Sequence, residues 1–141
     1  MEIKIKRLSK KAAQPKYAHQ GDAGIDLYIM ESKILKPGEW HSFSTGIAME
    51  IPKGFVGLIW DKSGLSSKYG LHVLAGVVDS SYRGEIKVVV YNLSQKPYKF
   101  QGGDQLAQMI IQPFLAANIK IVKKLSNTGR GQGGFGSTGR R

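Results

Sequence analysis

Turn-forming residues recur so often in this chain that it has room for short strands and little else. Eight runs rich in β-branched and aromatic residues, at 2–7, 25–29, 46–51, 55–60, 71–78, 86–91, 105–111 and 119–122, are separated by glycine, proline and polar turn signals. Ile25, Leu27 and Ile29, like Ile47, Met49 and Ile51, fall at alternate positions, so each set occupies one face of an extended segment. Pro37-Gly38, Pro52-Lys53-Gly54 and Gly102-Gly103-Asp104 supply turns. Only 66–69 reads as a helical turn. Such strands bury a face by packing on a second sheet, which predicts an all-β antiparallel sandwich, jelly roll or barrel.

The chain has 141 residues, enough for one core, and the pattern assigns residues 1–125 to a single β domain. From Ser126 onward the sequence SNTGRGQGGFGSTGRR contains one large apolar residue, Phe135, and predicts a flexible arm over 126–141. Three readings fit that arm: a disordered tail, an arginine-glycine RNA-binding segment, or a lid that orders over a ligand. The absence of cysteine excludes disulfides, thiolate metal sites and a thiol nucleophile. No stretch resembles a signal peptide or approaches membrane-spanning length, so a soluble cytoplasmic protein is expected. The net charge of +11 is concentrated near the ends, and no acidic residue follows Asp104. That imbalance suits a polyanion, whether nucleic acid, membrane surface or nucleotide polyphosphate.

Five short stretches carry candidate chemistry. Ala23-Gly24-Ile25-Asp26-Leu27 sets an acid in an apolar strand, where burial requires a cation or donors; a solvent-facing aspartate is the alternative. Asp61-Lys62-Ser63-Gly64-Leu65 combines a cation, a hydroxyl and glycine at a strand end, suited to cradling phosphate, although it lacks the spacing of a Walker loop. In 76–85, two apolar strands flank a turn presenting Asp79, Tyr82 and Arg83. A carboxylate there can act as general base toward a water. The same turn also reads as a polar tip where Arg83 and Glu85 pair. Gly103 to Gln108 opens a strand with two glutamines, one able to donate to phosphate. The arm offers Arg130, Phe135 and hydroxyls that could wrap a nucleotide. His19, His41 and His72 are too widely spaced for a ligand motif, and Trp40 and Trp60 read as core or interface fillers.

Taken in order, AGIDL, DKSGL, GVVDSSYRGE, GDQLAQ and RGQGGFGSTG resemble the five motifs of the trimeric dUTPase family, spanning Ala23 to Gly139. The resemblance implies a jelly-roll-like sandwich or distorted barrel, assembled as a homotrimer whose three sites are shared between subunits. It implies Mg²⁺-dependent hydrolysis of dUTP to dUMP and pyrophosphate, which keeps uracil out of DNA and supplies dUMP for thymidylate synthesis. Asp79 matches the catalytic aspartate that activates water against the α-phosphorus, and Tyr82 the tyrosine under the deoxyribose. The hairpin from Leu71 to Asp79, including Gly76, Val77 and Val78, corresponds to the backbone that reads uracil. Lys62, Ser63, Gly64 and Gln108 match phosphate contacts, and Lys87 is counted among the substrate-binding residues. Arg130 matches the arm arginine on the γ-phosphate, Phe135 the aromatic over uracil, and Gly136, Ser137 and Thr138 add contacts. Asp26 matches the acid that holds waters of the metal.

Two positions depart from the pattern. Lys62 stands where arginine is usual and lacks its bidentate fork, and Ser81 stands where another acid is common. Two rivals are weighed against this reading. A dCTP deaminase-like enzyme of the same fold needs a glutamate ten residues beyond the motif aspartate, where Val89 stands. A nucleic-acid-binding β-barrel accounts for the charge but gives Asp79 and Tyr82 no task. No membrane and no specific nucleic-acid partner are expected.

Overall fold

The computed structural model describes residues 1–134. Within them the elements are β1 (Lys4–Arg7), β2 (Lys16–Tyr17), β3 (Ile25–Tyr28), β4 (Lys33–Leu35), β5 (Trp40–Glu50), β6 (Phe55–Asp61), α1 (Ser63–Tyr69), β7 (Leu71–Leu74), β8 (Val77–Val78), β9 (Glu85–Asn92), β10 (Tyr98–Phe100) and β11 (Gln105–Pro113). One sheet has the order β1-β5-β9-β7 and a second β2-β3-β11-β6-β8, with β10 and β4 forming a separate pair. Every pairing is antiparallel. The sheets stay open rather than closing, so the expected jelly-roll-like sandwich forms and not a barrel.

Alternation drives the packing. In β9, Ile86, Val88 and Val90 are buried while Lys87 between them is exposed. They share one core with Leu27, Phe43, Phe100 and Met109. In β5 the residues Thr45 to Met49 are buried without a break. Gly46, at φ 69°, lies where the register of β5 against β9 shifts between Ser44 and Ala48, and the bulge turns consecutive side chains inward.

Sequence and structure differ in several places. The run 71–78 is two strands in different sheets: β7 pairs with β9, whereas β8 pairs with β6. The switch falls at Ala75 and Gly76, both at positive φ. The run 119–122 forms no strand, and Ile119 and Ile121 are 95% and 97% exposed. Strand β5 begins at Trp40, six residues earlier than the apolar run suggests, since serines mask the alternation around Phe43. Helix α1 opens at Ser63 and not at Ser66. Trp40 and Trp60 are 63% and 55% exposed, so neither fills the core of the single chain.

Candidate active site

Strands β3, β11 and β6 lie side by side, and their register sets Asp26 opposite Gln108 and Gln108 opposite Trp60. Asp26 is 2% exposed, which overturns the solvent-facing alternative. Burial of its charge is offset by Lys62, whose Nζ donates to Oδ1 at 2.5 Å. The other carboxylate oxygen, Oδ2, is buried with no hydrogen-bond partner among the described residues. Gln108 donates from Nε2 to the Asp61 carbonyl at 2.8 Å. A side chain at Gly24 would meet Gln108 Oε1 at 2.1 Å, so glycine in the first motif leaves room for that amide. Ser63 and Gly64 are exposed and begin α1, whose first turn contains no acid. Asp26, Lys62 and Gln108 therefore come together as a polar strand end, with Ser63 and Gly64 following Lys62 into α1.

A second group forms elsewhere. Residues 75–79, Tyr82 and Lys87 line a cavity of about 270 Å³ backed by Ile59 and Ile86. Gly76 packs so close to β6 that a Cβ would lie 2.7 Å from the Ile59 carbonyl oxygen, and its own carbonyl accepts from Ile59 N–H at 2.8 Å. Strand β8 is the outer strand of its sheet, so one row of its backbone donors and acceptors has no ladder partner among the described residues. Such an edge can read the hydrogen-bonding pattern of a planar base without using side chains.

The turn after β8 is fixed from within. Tyr82 N–H donates to the Asp79 carbonyl at 3.0 Å. Its hydroxyl donates to the Glu85 carbonyl at 3.1 Å, laying the phenol across Gly84. Arg83 donates to the carbonyls of Ser80 and Tyr82 at 2.6 and 2.8 Å. Glu85 instead accepts from Gly46 N–H at 2.9 Å, so the expected Arg83–Glu85 pairing is not formed. Asp79 is exposed at the cavity.

None of Asp26, Lys62, Ser63, Gly64 or Gln108 lines the Asp79 cavity. Arg130 is exposed and donates to the Gly133 carbonyl at 2.7 Å, outside both groups. Phe135, Gly136, Ser137 and Thr138 lie outside the described residues. Sequence reasoning gave Gly84 no role, named Asp61 without its partners and paired Glu85 with Arg83, because their contacts lie between segments distant in the chain or beneath a neighbouring ring. Of the histidines, His41 lies 3.3 Å from Glu31 and His72 lies 2.8 Å from Asp61. Among the described residues no three histidine, aspartate or glutamate side chains group to hold a metal.

The dUTPase family model matches residues 10–139. The chain belongs to the dUTPase family. The deoxyuridine 5'-triphosphate nucleotidohydrolase of Clostridium kluyveri is 44% identical over 141 residues, covering 99% of each chain. That of Paramecium bursaria Chlorella virus 1 is 41% identical over 135 residues, covering 96% of each. Among solved structures, a mutant dUTPase of Staphylococcus bacteriophage 80alpha with dUpNHpp superposes at a TM-score of 0.91, with 29% identity and 99% of both chains covered. A mutant dUTPase from phage phi11 of S. aureus, described with a coordinated structural Mg(II) ion, gives a TM-score of 0.81 at 29% identity over 88% of this chain and 98% of that one. Within this dUTPase fold, the first, second and fourth motifs meet at one polar strand end, and the third forms a separate group on an exposed strand edge.

Proposed function

We propose that this dUTPase family member hydrolyses dUTP to dUMP and pyrophosphate, with Asp79 as the base that activates water. The observation that carries the reading is a single cavity combining the free edge of β8, the Tyr82 ring and the Asp79 carboxylate. Uracil pairs with the β8 edge. Tyr82 underlies the deoxyribose and crowds out a 2′-hydroxyl. A polar edge that meets the wrong base leaves its own donors unpaired, a penalty that can reach about 10⁴-fold in turnover. Asp79 accepts a proton from water as the water oxygen bonds to the α-phosphorus, and the bond to the bridging oxygen breaks to release pyrophosphate.

The triphosphate is assigned to Lys62, Ser63, Gly64 and Gln108, with Lys87 beside the nucleoside. Since that cluster does not line the Asp79 cavity of its own chain, a site shared between subunits of a homotrimer accounts for the separation. The apolar, exposed segment 119–122 likewise suits contact with another subunit. Residues 126–141 are assigned as a lid, with Arg130 on the γ-phosphate and Phe135, Gly136, Ser137 and Thr138 over the nucleotide.

The residues fit Mg²⁺ as a cofactor arriving with the substrate. Mg²⁺ keeps several waters and takes few protein ligands, and Asp26 Oδ2, a buried acceptor with no partner among the described residues, would accept from such a water. When bound it neutralises charge on the phosphates, a task that Lys62 shares. The proposed compartment is the cytoplasm; no helix among the described residues is long and apolar enough to cross a membrane.

The test is incubation with dUTP, dCTP, dTTP and UTP in magnesium, with assays for pyrophosphate and ammonia, repeated for Asp79→Asn. Pyrophosphate from dUTP alone, lost in the variant while binding persists, is expected. Ammonia from dCTP, or full activity in Asp79→Asn, would overturn the assignment.

A further inference from the structure

Between the two clusters lies a polar tie that the reaction does not use. Asp61, the last residue of β6, accepts from Val73 N–H through Oδ1 at 2.6 Å, and its Oδ2 lies 2.8 Å from His72 Nδ1. A carboxylate only accepts, so His72 donates from Nδ1. β6 and β7 belong to different sheets, and Asp61 therefore staples one sheet to the other just before the chain crosses from β7 to β8.

Two residues beyond Val73 the chain turns at Ala75, at φ 61°, the only non-glycine residue with positive φ among the described residues. A side chain in that left-handed region is strained and persists only where its surroundings hold it. The segment is held from both sides: by Asp61 on Val73 before the turn, and by the Ile59–Gly76 hydrogen bond after it. An apolar cavity of about 310 Å³ bordered by Ile59, Trp60, Asp61, Val73 and Gly76 lies between these ties, so packing does not substitute for them there.

We propose that Asp61 is a positioning residue for base recognition: by clamping β7 to the end of β6 it holds the strained Ala75 turn and sets the β8 edge that reads the base. The inference rests on the reading of β8 given above. It assigns Asp61 no contact with substrate.

The roles separate by comparing ligands that use different clusters. In Asp61→Ala, the KM for dUTP and the inhibition constant for dUMP should each rise about tenfold, as expected for losing hydrogen bonds to a charged acceptor. Inhibition by inorganic pyrophosphate, bound at the Lys62 cluster, should be unchanged, and kcat should fall less than threefold. Asp61→Asn still offers an oxygen to Val73 N–H and should remain close to the parent protein. Adding Ala75→Gly to Asp61→Ala should recover part of the loss, because glycine adopts positive φ without strain. Should the alanine variant not fold, Asp61→Glu, which keeps the charge but shifts the carboxylate by one methylene, should show the same selective rise.

Equal weakening of dUMP and pyrophosphate, unchanged constants in Asp61→Ala, or an asparagine variant as impaired as the alanine one would each overturn the positioning role. A parent protein that does not turn over dUTP would instead remove the functional reading itself, and base recognition with it.

Discussion

Lys62 and Asp26 meet at 2.5 Å with unequal burial, the aspartate side chain 3% exposed and the lysine 27%. Losing one partner therefore has unequal consequences. Lys62→Met strands a charge in the core and should destabilise the fold by roughly 3 kcal/mol, the lower end of the range for broken buried pairs. Asp26→Asn releases a lysine that can reach water and should cost less, and Asp26→Asn with Lys62→Met should recover part of the first loss. Urea unfolding at fixed protein concentration measures all three. Equal losses in the two single variants would show that the pair is not buried asymmetrically in solution.

Gly46 is required by both conformation and space. It sits at φ 69° in the β5 bulge, and a Cβ there would meet Met30 Sδ at 2.3 Å and the Ala12 Cβ at 2.9 Å. Left-handed strain and overpacking each contribute about 1–2 kcal/mol, so Gly46→Ala should lose roughly 3 kcal/mol and lower the thermal midpoint clearly. The substitution also disturbs the N–H that Glu85 accepts, so the Asp79 turn should loosen. A midpoint matching the parent protein would contradict the bulge geometry.

At the sheet edge, the Lys4 ammonium donates to Glu50 at 3.0 Å and holds that carboxyl below its usual range, first by the hydrogen bond and then by its charge. A depressed carboxyl pKa stabilises the fold above the unfolded-state value, and that contribution is lost as pH falls through the folded-state value. NMR titration of Glu50 in Lys4→Met should show its midpoint moving up toward the ordinary 4.5. An unmoved midpoint would mean that the pair does not persist in solution. Both partners lie at the surface, so the shift concerns the local group and little of the global stability.

The sequence made most of the strands legible through its short β-branched runs between turn signals, although burial alternates cleanly in β9 and not in β3, where Ile25, Asp26 and Leu27 are all buried. The same logic failed where two constraints overlap. In β5 a bulge defeats alternation, and 71–78 reads as one apolar run although a turn at Ala75 hands it to another sheet. Ala75 carries no local signal, since alanine has no preference for the positive φ it adopts. Ile119 and Ile121 have strand composition but pair with no strand among the described residues. At the site, motif order pointed to Asp26, Lys62, Asp79, Tyr82 and Gln108, while the separation into two clusters is a fact of register that no linear motif contains.

Gly84 tests the nucleoside cavity most directly. A Cβ at this position would lie 2.3 Å from the Tyr82 hydroxyl and 2.5 Å from its Cζ, so alanine must push the phenol off the Glu85 carbonyl. The obstructing atoms are the far end of an exposed side chain, and the ring can swing away with little loss of stability. The role proposed for it against the sugar would not survive that swing. Gly84→Ala should therefore keep its unfolding midpoint yet lose on the order of 10- to 100-fold in kcat/KM for dUTP, the scale on which misplaced groups impair catalysis. The ratio of dUTP to UTP turnover should fall as well, because the displaced phenol no longer crowds a 2′-hydroxyl. Parallel assays with both nucleotides decide it: a variant with lower activity but an unchanged ratio would show that the Tyr82 ring does not set sugar selectivity.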